Sequence, residues 1–321
     1  MSWEILITRD FEQMSEVAAG LTEKSVRALQ KQKSEVVLGL ATGSSPTGLY
    51  RGVAAAANKG KVDSSRWRSF NLDEYVGLPG ENAQQRALHP ESYSYFMIEN
   101  LFSLLEKKPI ETNVPWGTLI EQTTLVKELK ANPGDWRAEG TSKGKAIVIN
   151  KATSSAYLAW VRKEVLEAYP RKMRKMGGVD LQIIGVGGVG HVAFHEAGIP
   201  LNLKGLLLVE LDRVTREHAV ADGHFESLEK SPRYAISMSC DLVFQANSVL
   251  LVANGPRKTE AVARAVLEKA SADVPLSYSQ KYAQKGGELT WVLDEAASTD
   301  LLAEPEALKA MGIQLKDLRA K

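Results

Sequence analysis

The segment GVGGVGHVAFHEAG, residues 185–198, holds side chains whose types and spacing could do chemistry. Gly185, Gly187 and Gly190 match the G-x-G-x-x-G spacing of a dinucleotide-binding turn, and Val179 to Ile184 just before them read as a buried strand. A dinucleotide fold needs a helix of several turns directly after the third glycine, to aim its dipole at the pyrophosphate. HVAFHEA is followed by Gly198 and Pro200, which leaves room for about two turns. Glu210 and Asp212 do lie about 20 residues on, where the fingerprint wants an acid. The short helix is the stronger objection. The glycines instead make a tight backbone turn that thrusts the imidazole of His191 and the carboxylate of Glu196 into a strand-end crevice. An imidazole beside a carboxylate suits acid–base work.

Such a crevice has to be built by the elements around it. Met14, Val17, Leu21 and Ala28 follow helical spacing, and EVVLGLA after them is an apolar run that ends in the glycine and hydroxyl cluster ATGSSP. TGLYRGVAAAA restarts a helix, with Pro46 near its beginning, where a missing N–H does no harm. Strand-like runs recur in WRSFNLDEY, VDLQIIGVG, GLLLVEL, SVLLVANG and LTWVLDE. Strand runs between helical stretches predict an α/β fold with an open, mostly parallel sheet. Ligand sites in such sheets lie at the carboxyl ends of the strands, so ATGSSP, NLDEY, GVGGVGH and ANGPRK are the segments where chemistry is expected. Residues 105–150 are polar and punctuated by Pro and Gly, and read as an insertion or long surface connection within one domain spanning 1–321. From Thr153 a helical pattern returns through Tyr157, Trp160, Val161, Glu164, Val165 and Ala168.

Composition narrows the partners. The 321 residues are 44% hydrophobic and 25% charged, enough to bury one large core or two modest ones. Forty Lys plus Arg against 39 Asp plus Glu leave a net charge of +1, so no global field draws the chain to nucleic acid or to an anionic membrane. MSWEILITRDFEQ does not read as a signal peptide, and no apolar run approaches spanning length, which predicts a cytoplasmic protein. A lone Cys240 forms no internal disulfide, and five histidines without an H-E-x-x-H predict no metal site. No cofactor is expected.

LGLATGSSPTGLY, FNLDEYVGL with HPESYSYFM after it, GVGGVGHVAFHEAG and VANGPRK resemble, in the same order, four motifs of the glucosamine-6-phosphate deaminase (isomerase) family. The match is spread over most of the chain and fades within 105–150. DEYVGL followed by HPESY is its most specific part, since the related 6-phosphogluconolactonases typically carry an arginine where Tyr75 stands. The resemblance implies a Rossmann-like sheet with helices on both faces. It also implies conversion of glucosamine 6-phosphate and water to fructose 6-phosphate and ammonia. Moving a proton from C2 to C1 of an open-chain amino sugar needs a carboxylate that reaches both carbons, and a second group must exchange protons at the ring oxygen. The resemblance gives the shuttle to Asp73, ring opening to His191, and the support of His191 to Glu196. Phosphate is expected on the Gly43, Ser44 and Ser45 loop, where backbone N–H groups and a helix N-terminus favour an anion. Lys258 matches a family phosphate ligand, and Arg216 is the candidate for a second phosphate cation.

Two departures fall beside His191. Many family members have an acid or an asparagine two positions earlier, where this chain has Val189, which can neither accept an imidazole N–H nor stabilise an imidazolium. The family's FNEP becomes Phe194, His195, Glu196, Ala197. Both bear on ring opening and leave Asp73 and the phosphate loop intact. Three readings stay open: an amino-sugar phosphate deaminase or isomerase, a lactonase-like hydrolase that Tyr75 disfavours, and a non-catalytic sugar-phosphate sensor of the same fold. Against the sensor stand the retained Asp73 and the lack of a basic helix-turn-helix segment before the fold. A homo-oligomer is compatible with all three.

Overall fold

In the computed structural model, which describes residues 3–320, the strands form two sheets of opposite character. The first runs in the order β13 (Gln314–Asp317), β1 (Trp3–Thr8), β12 (Glu288–Asp294), β11 (Ser248–Ala253), β8 (Leu181–Ile184), β2 (Val36–Leu40), β3 (Trp67–Asn71), β5 (Glu111–Asn113). Every pairing in it is parallel. The second runs β4 (Asp73–Val76), β10 (Tyr234–Met238), β9 (Leu206–Glu210), β7 (Gly144–Ile149), β6 (Trp136–Thr141), and every pairing in it is antiparallel.

The apolar runs are continuous because both faces of the parallel sheet are covered. Successive side chains alternate between two cores. Leu6, Leu250 and Val252 pack with the helices Phe11–Gln30 and Thr47–Asn58, whereas Ile5, Ile7, Val249 and Leu251 join the core that β9 and β10 also enter. The first helix starts where Asp10 accepts a hydrogen bond from the Gln13 N–H at 2.9 Å, a capping bond that satisfies one of the free donors of its first turn.

The α/β fold with a parallel sheet and flanking helices agrees with the sequence reading, with three differences. GLLLVEL forms β9 of the antiparallel sheet. WRSFNLDEY is broken at Leu72, where the chain leaves one sheet for the other. Asn71 ends β3 and Asp73 begins β4, while the Leu72 carbonyl accepts the Met238 N–H at 2.7 Å. HVAFHEA forms no helix; an isolated bridge between Val192 and His195 closes a turn in which Ala193 takes a left-handed φ of 53°.

Residues 105–150 do more than connect. They supply β5, a helix over Gln122–Ala131 and the β6–β7 hairpin, and bury Ile120, Leu125, Leu129, Ile147 and Ile149 in the core shared by the two sheets. Their apolar residues are thinly spread because each short element buries one face only. Among the described residues, no helix is long and apolar enough to cross a membrane.

Candidate active site

The four chemistry-bearing segments follow β2, β3, β8 and β11, and these strands are consecutive neighbours at the centre of the parallel sheet, in the order β11, β8, β2, β3. Segments as far as 209 residues apart in the chain, Ser45 and Asn254, thus end side by side at one sheet edge. The loop after β2 is joined directly to the loop after β11, because the Ser45 hydroxyl donates to the Asn254 side-chain carbonyl at 2.7 Å.

Asp73 and Glu74 are adjacent carboxylates with opposite fates, since neighbouring residues on a strand face opposite ways. Glu74 is fully buried and accepts from the Ser92 hydroxyl at 2.7 Å, from the Tyr93 and Ser94 N–H groups at 3.1 Å, and from the Tyr75 N–H at 2.9 Å. It is the anchor of the HPESYSYFM segment. Asp73 is also buried, yet its carboxylate makes no hydrogen bond among the described residues. Burial, with a smaller contribution from the Glu74 charge, pushes the Asp73 carboxyl well above the usual carboxylate range. A buried carboxyl with no protein partner is equipped to exchange a proton with something else.

Backbone register ties this carboxyl to the histidine loop. Ser237 on β10 pairs with Asp73, and its hydroxyl accepts the Phe194 N–H at 2.9 Å. Three residues before Phe194, the Nδ1 of His191 faces the Glu196 carboxylate at 3.2 Å. Glu196 is fully buried, and the same oxygen accepts from the Thr215 hydroxyl at 3.0 Å. As a carboxylate can only accept, it fixes Nδ1 as the donor and leaves Nε2 as the nitrogen free to exchange protons. Gly187 makes room for this ring, since a Cβ there would stand 2.0 Å from His191 Nε2, and Gly144 on β7 makes room for its partner, since a Cβ there would stand 2.3 Å from the Glu196 Cβ.

The departures at 189 and 195 have structural explanations of different kinds. Val189 is half-exposed and belongs to no buried cluster, so it is not a core residue displaced into the motif. His195 is fully buried, with Nδ1 accepting the Cys240 N–H at 3.1 Å and Nε2 donating to the Ile199 carbonyl at 3.2 Å. Burial lowers its pKa to about 4, so it is a neutral structural histidine.

At the anion loop, Gly43 takes a φ of 102°, Ser44 is exposed, and the helix Thr47–Asn58 begins without a side-chain cap or an acidic first turn. Its N-terminal N–H groups are therefore uncapped by side chains and electropositive. Lys258 is half-buried and its ammonium makes no hydrogen bond among the described residues; burial, then Arg257, lower its pKa.

Arg216 is not part of this assembly. Its guanidinium donates to the Leu228 and Ser231 carbonyls, the latter at 3.0 Å, and no hydrogen bond or ion pair joins it to Ser44, Ser45 or Lys258 among the described residues. It lines a separate cleft of about 430 Å³ with Lys145, Glu210, Asp212 and Arg233, which contains none of Asp73, His191, Ser44 and Lys258. Sequence proximity misplaced it because Thr215, one residue earlier, is what faces the site.

From the segment that holds Arg216, the sequence reading missed the residues that touch three of the four motifs. Thr215 contacts Glu196, Asp222 contacts Arg257 at 3.0 Å, His224 contacts Glu91 at 2.7 Å, and the Phe225 ring packs on Tyr75 with centroids 5.5 Å apart. Nothing in its polar, irregular sequence marks it, since each contact is with a residue remote in the chain.

Fold and site together define an α/β protein whose parallel-sheet edge carries an uncommitted buried carboxyl, a histidine–glutamate pair and an anion loop. A profile of the family described as glucosamine-6-phosphate isomerases/6-phosphogluconolactonase matches residues 135–291. The glucosamine-6-phosphate deaminase of Clostridium perfringens (strain 13 / Type A) is 31% identical over 278 residues, covering 87% of this chain and 93% of the relative. That of Halothermothrix orenii is 31% identical over 296 residues, covering 92% and 98%. A solved monomeric glucosamine-6-phosphate deaminase shares the fold with a TM-score of 0.68 at 23% identity, covering 92% of this chain and 99% of that one. The 6-phosphogluconolactonase from Plasmodium vivax does so at 0.59 and 16%, covering 94% of each. The chain belongs to the glucosamine-6-phosphate isomerase/6-phosphogluconolactonase family.

Proposed function

We propose that this chain is a glucosamine-6-phosphate deaminase, converting glucosamine 6-phosphate and water to fructose 6-phosphate and ammonia. The observation that carries the reading is Asp73, a buried carboxyl without a hydrogen-bond partner among the described residues, on the strand that continues β3 and linked through Ser237 to the loop of the histidine–glutamate pair. His191 Nε2 takes the O1 proton of the cyclic sugar and returns it to O5 as the ring opens, while Glu196 stabilises the transient imidazolium. Asp73 then removes the C2 proton and delivers it to C1, while O1 gains the proton that the amino nitrogen gives up, leaving a 2-imino sugar with a C1 hydroxyl. Water adds at C2 and ammonia departs. Burial raises the basicity of Asp73, which favours removal of a carbon-bound proton.

The phosphate is held by the Gly43–Ser45 loop and Lys258. We also infer a cytoplasmic protein with no nucleic-acid or membrane partner, in line with its near-zero net charge, and a single α/β domain in which 105–150 contains an insertion.

The test is ammonia release from glucosamine 6-phosphate by the wild type and Asp73→Asn. The amide keeps the shape but cannot accept the C2 proton, so turnover should fall roughly 10²- to 10⁴-fold with analogue binding within a few-fold. Unchanged release in the mutant would remove Asp73 from its role. A wild type that binds the sugar phosphate but releases no ammonia would favour the sensor.

A further inference from the structure

With Arg216 committed elsewhere, the anion loop holds one anticipated cation, Lys258. The residue before it is also basic. Arg257 lies on the same short turn, Pro256–Lys258, that follows Asn254 and its bond to Ser45. Its backbone carbonyl would lie 3.5 Å from a Cβ on Gly188, so this turn packs on the glycine turn before His191.

The Arg257 guanidinium makes a single hydrogen bond among the described residues, from Nη1 to the Asp222 carboxylate at 3.0 Å. The two side chains are 74% and 41% exposed. A solvated pair of this kind is worth little, so the carboxylate is readily exchanged. The remaining N–H groups of the planar fork are uncommitted, and such a fork fits two phosphate oxygens as well as it fits a carboxylate. Asp222 itself follows the helix Arg213–Ala221, whose Thr215 holds Glu196, so the Arg257 contact and the acid–base pair are carried by one short segment.

We infer that Arg257 is the second cation for the substrate phosphate, and that Asp222 holds its guanidinium beside Lys258 until a phosphate takes the carboxylate's place. The inference rests on the sugar-phosphate reading of the site.

The test uses the full chain with inorganic phosphate and glucosamine 6-phosphate as probes. Arg257→Ala should raise the Kd for phosphate and the KM for glucosamine 6-phosphate about tenfold, the loss of one charge-assisted hydrogen bond, with kcat within about twofold. Binding of unphosphorylated glucosamine should not change. Arg257→Lys should restore part of the affinity, which a misfolded protein would not. Asp222→Asn, which removes a competing anion, should tighten phosphate by up to about fivefold.

Arg257→Ala with phosphate Kd and KM within twofold of wild type overturns the assignment, and weaker phosphate binding in Asp222→Asn overturns the exchange. Arg257-dependent phosphate binding in a wild type that releases no ammonia sinks the deaminase reading and leaves Arg257 standing. A wild type that binds neither phosphate nor the sugar phosphate overturns both.

Discussion

Gly187→Ala isolates the placement of the histidine from the stability of the fold. The added Cβ would stand 2.0 Å from His191 Nε2, 2.3 Å from Cδ2 and 2.4 Å from Cε1, whereas ordinary contact begins at 3.4 Å. The ring must therefore retreat by about 1.4 Å, far enough to break its 3.2 Å contact with Glu196. Gly187 does not have a left-handed φ, so alanine brings no backbone strain, and the colliding atoms belong to a half-buried side chain that can swing. The cost should fall on catalysis. A displacement of about 1 Å is worth roughly 10²-fold in rate, so kcat on the cyclic substrate should drop by about that factor with the melting temperature nearly unchanged. Steady-state ammonia release and a thermal melt read both quantities. A mutant that folds and turns over at the wild-type rate would show that His191 is not positioned for ring opening by its contact with Glu196.

Lys258→Ala should weaken glucosamine 6-phosphate far more than glucosamine, by competition binding, because the lost charge acts only on the phosphate; equal effects would remove Lys258 from the site. Val189→Asp puts a carboxylate two residues before His191 at a half-exposed position, so it should be tolerated and should move the His191 limb of the pH–rate profile upward. An unshifted profile in the folded mutant would mean that residue 189 does not address the imidazole. The raised Asp73 pKa places the acid limb of kcat/KM above the usual carboxylate range, with activity lost as pH falls through it, and a limb near 4 would refute that origin. His195 is neutral in the folded protein, with a pKa lowered from 6.5 to about 4, so the unfolded chain takes up its proton first as pH falls. Stability should decline between those values by at most about 3 kcal/mol, and urea titrations of His195→Asn should show that slope flattened.

What the sequence by itself determined is the set of strand-end segments and their order. Apolar runs that stop at glycine, hydroxyl and charged clusters are a local signal, and an α/β chain places such clusters along one edge of its sheet. The tight turn carrying His191 and Glu196 was legible for the same reason, since five residues of chain with a glycine at 190 can close only locally. The resemblance already singled out Asp73, but only the tertiary structure shows how it differs from Glu74. The two differ by one position on a strand, and which carboxylate is held and which stays uncommitted depends on Ser92, Tyr93 and Ser94 arriving on one face. The tertiary structure likewise drew Arg216 to the carbonyls of Leu228 and Ser231, away from the anion loop, made His195 structural through the backbone of Cys240 and Ile199, and sent GLLLVEL to the antiparallel sheet. In each case the deciding partner is remote in sequence, and burial and hydrogen-bond geometry exist only once the chain has brought the two together.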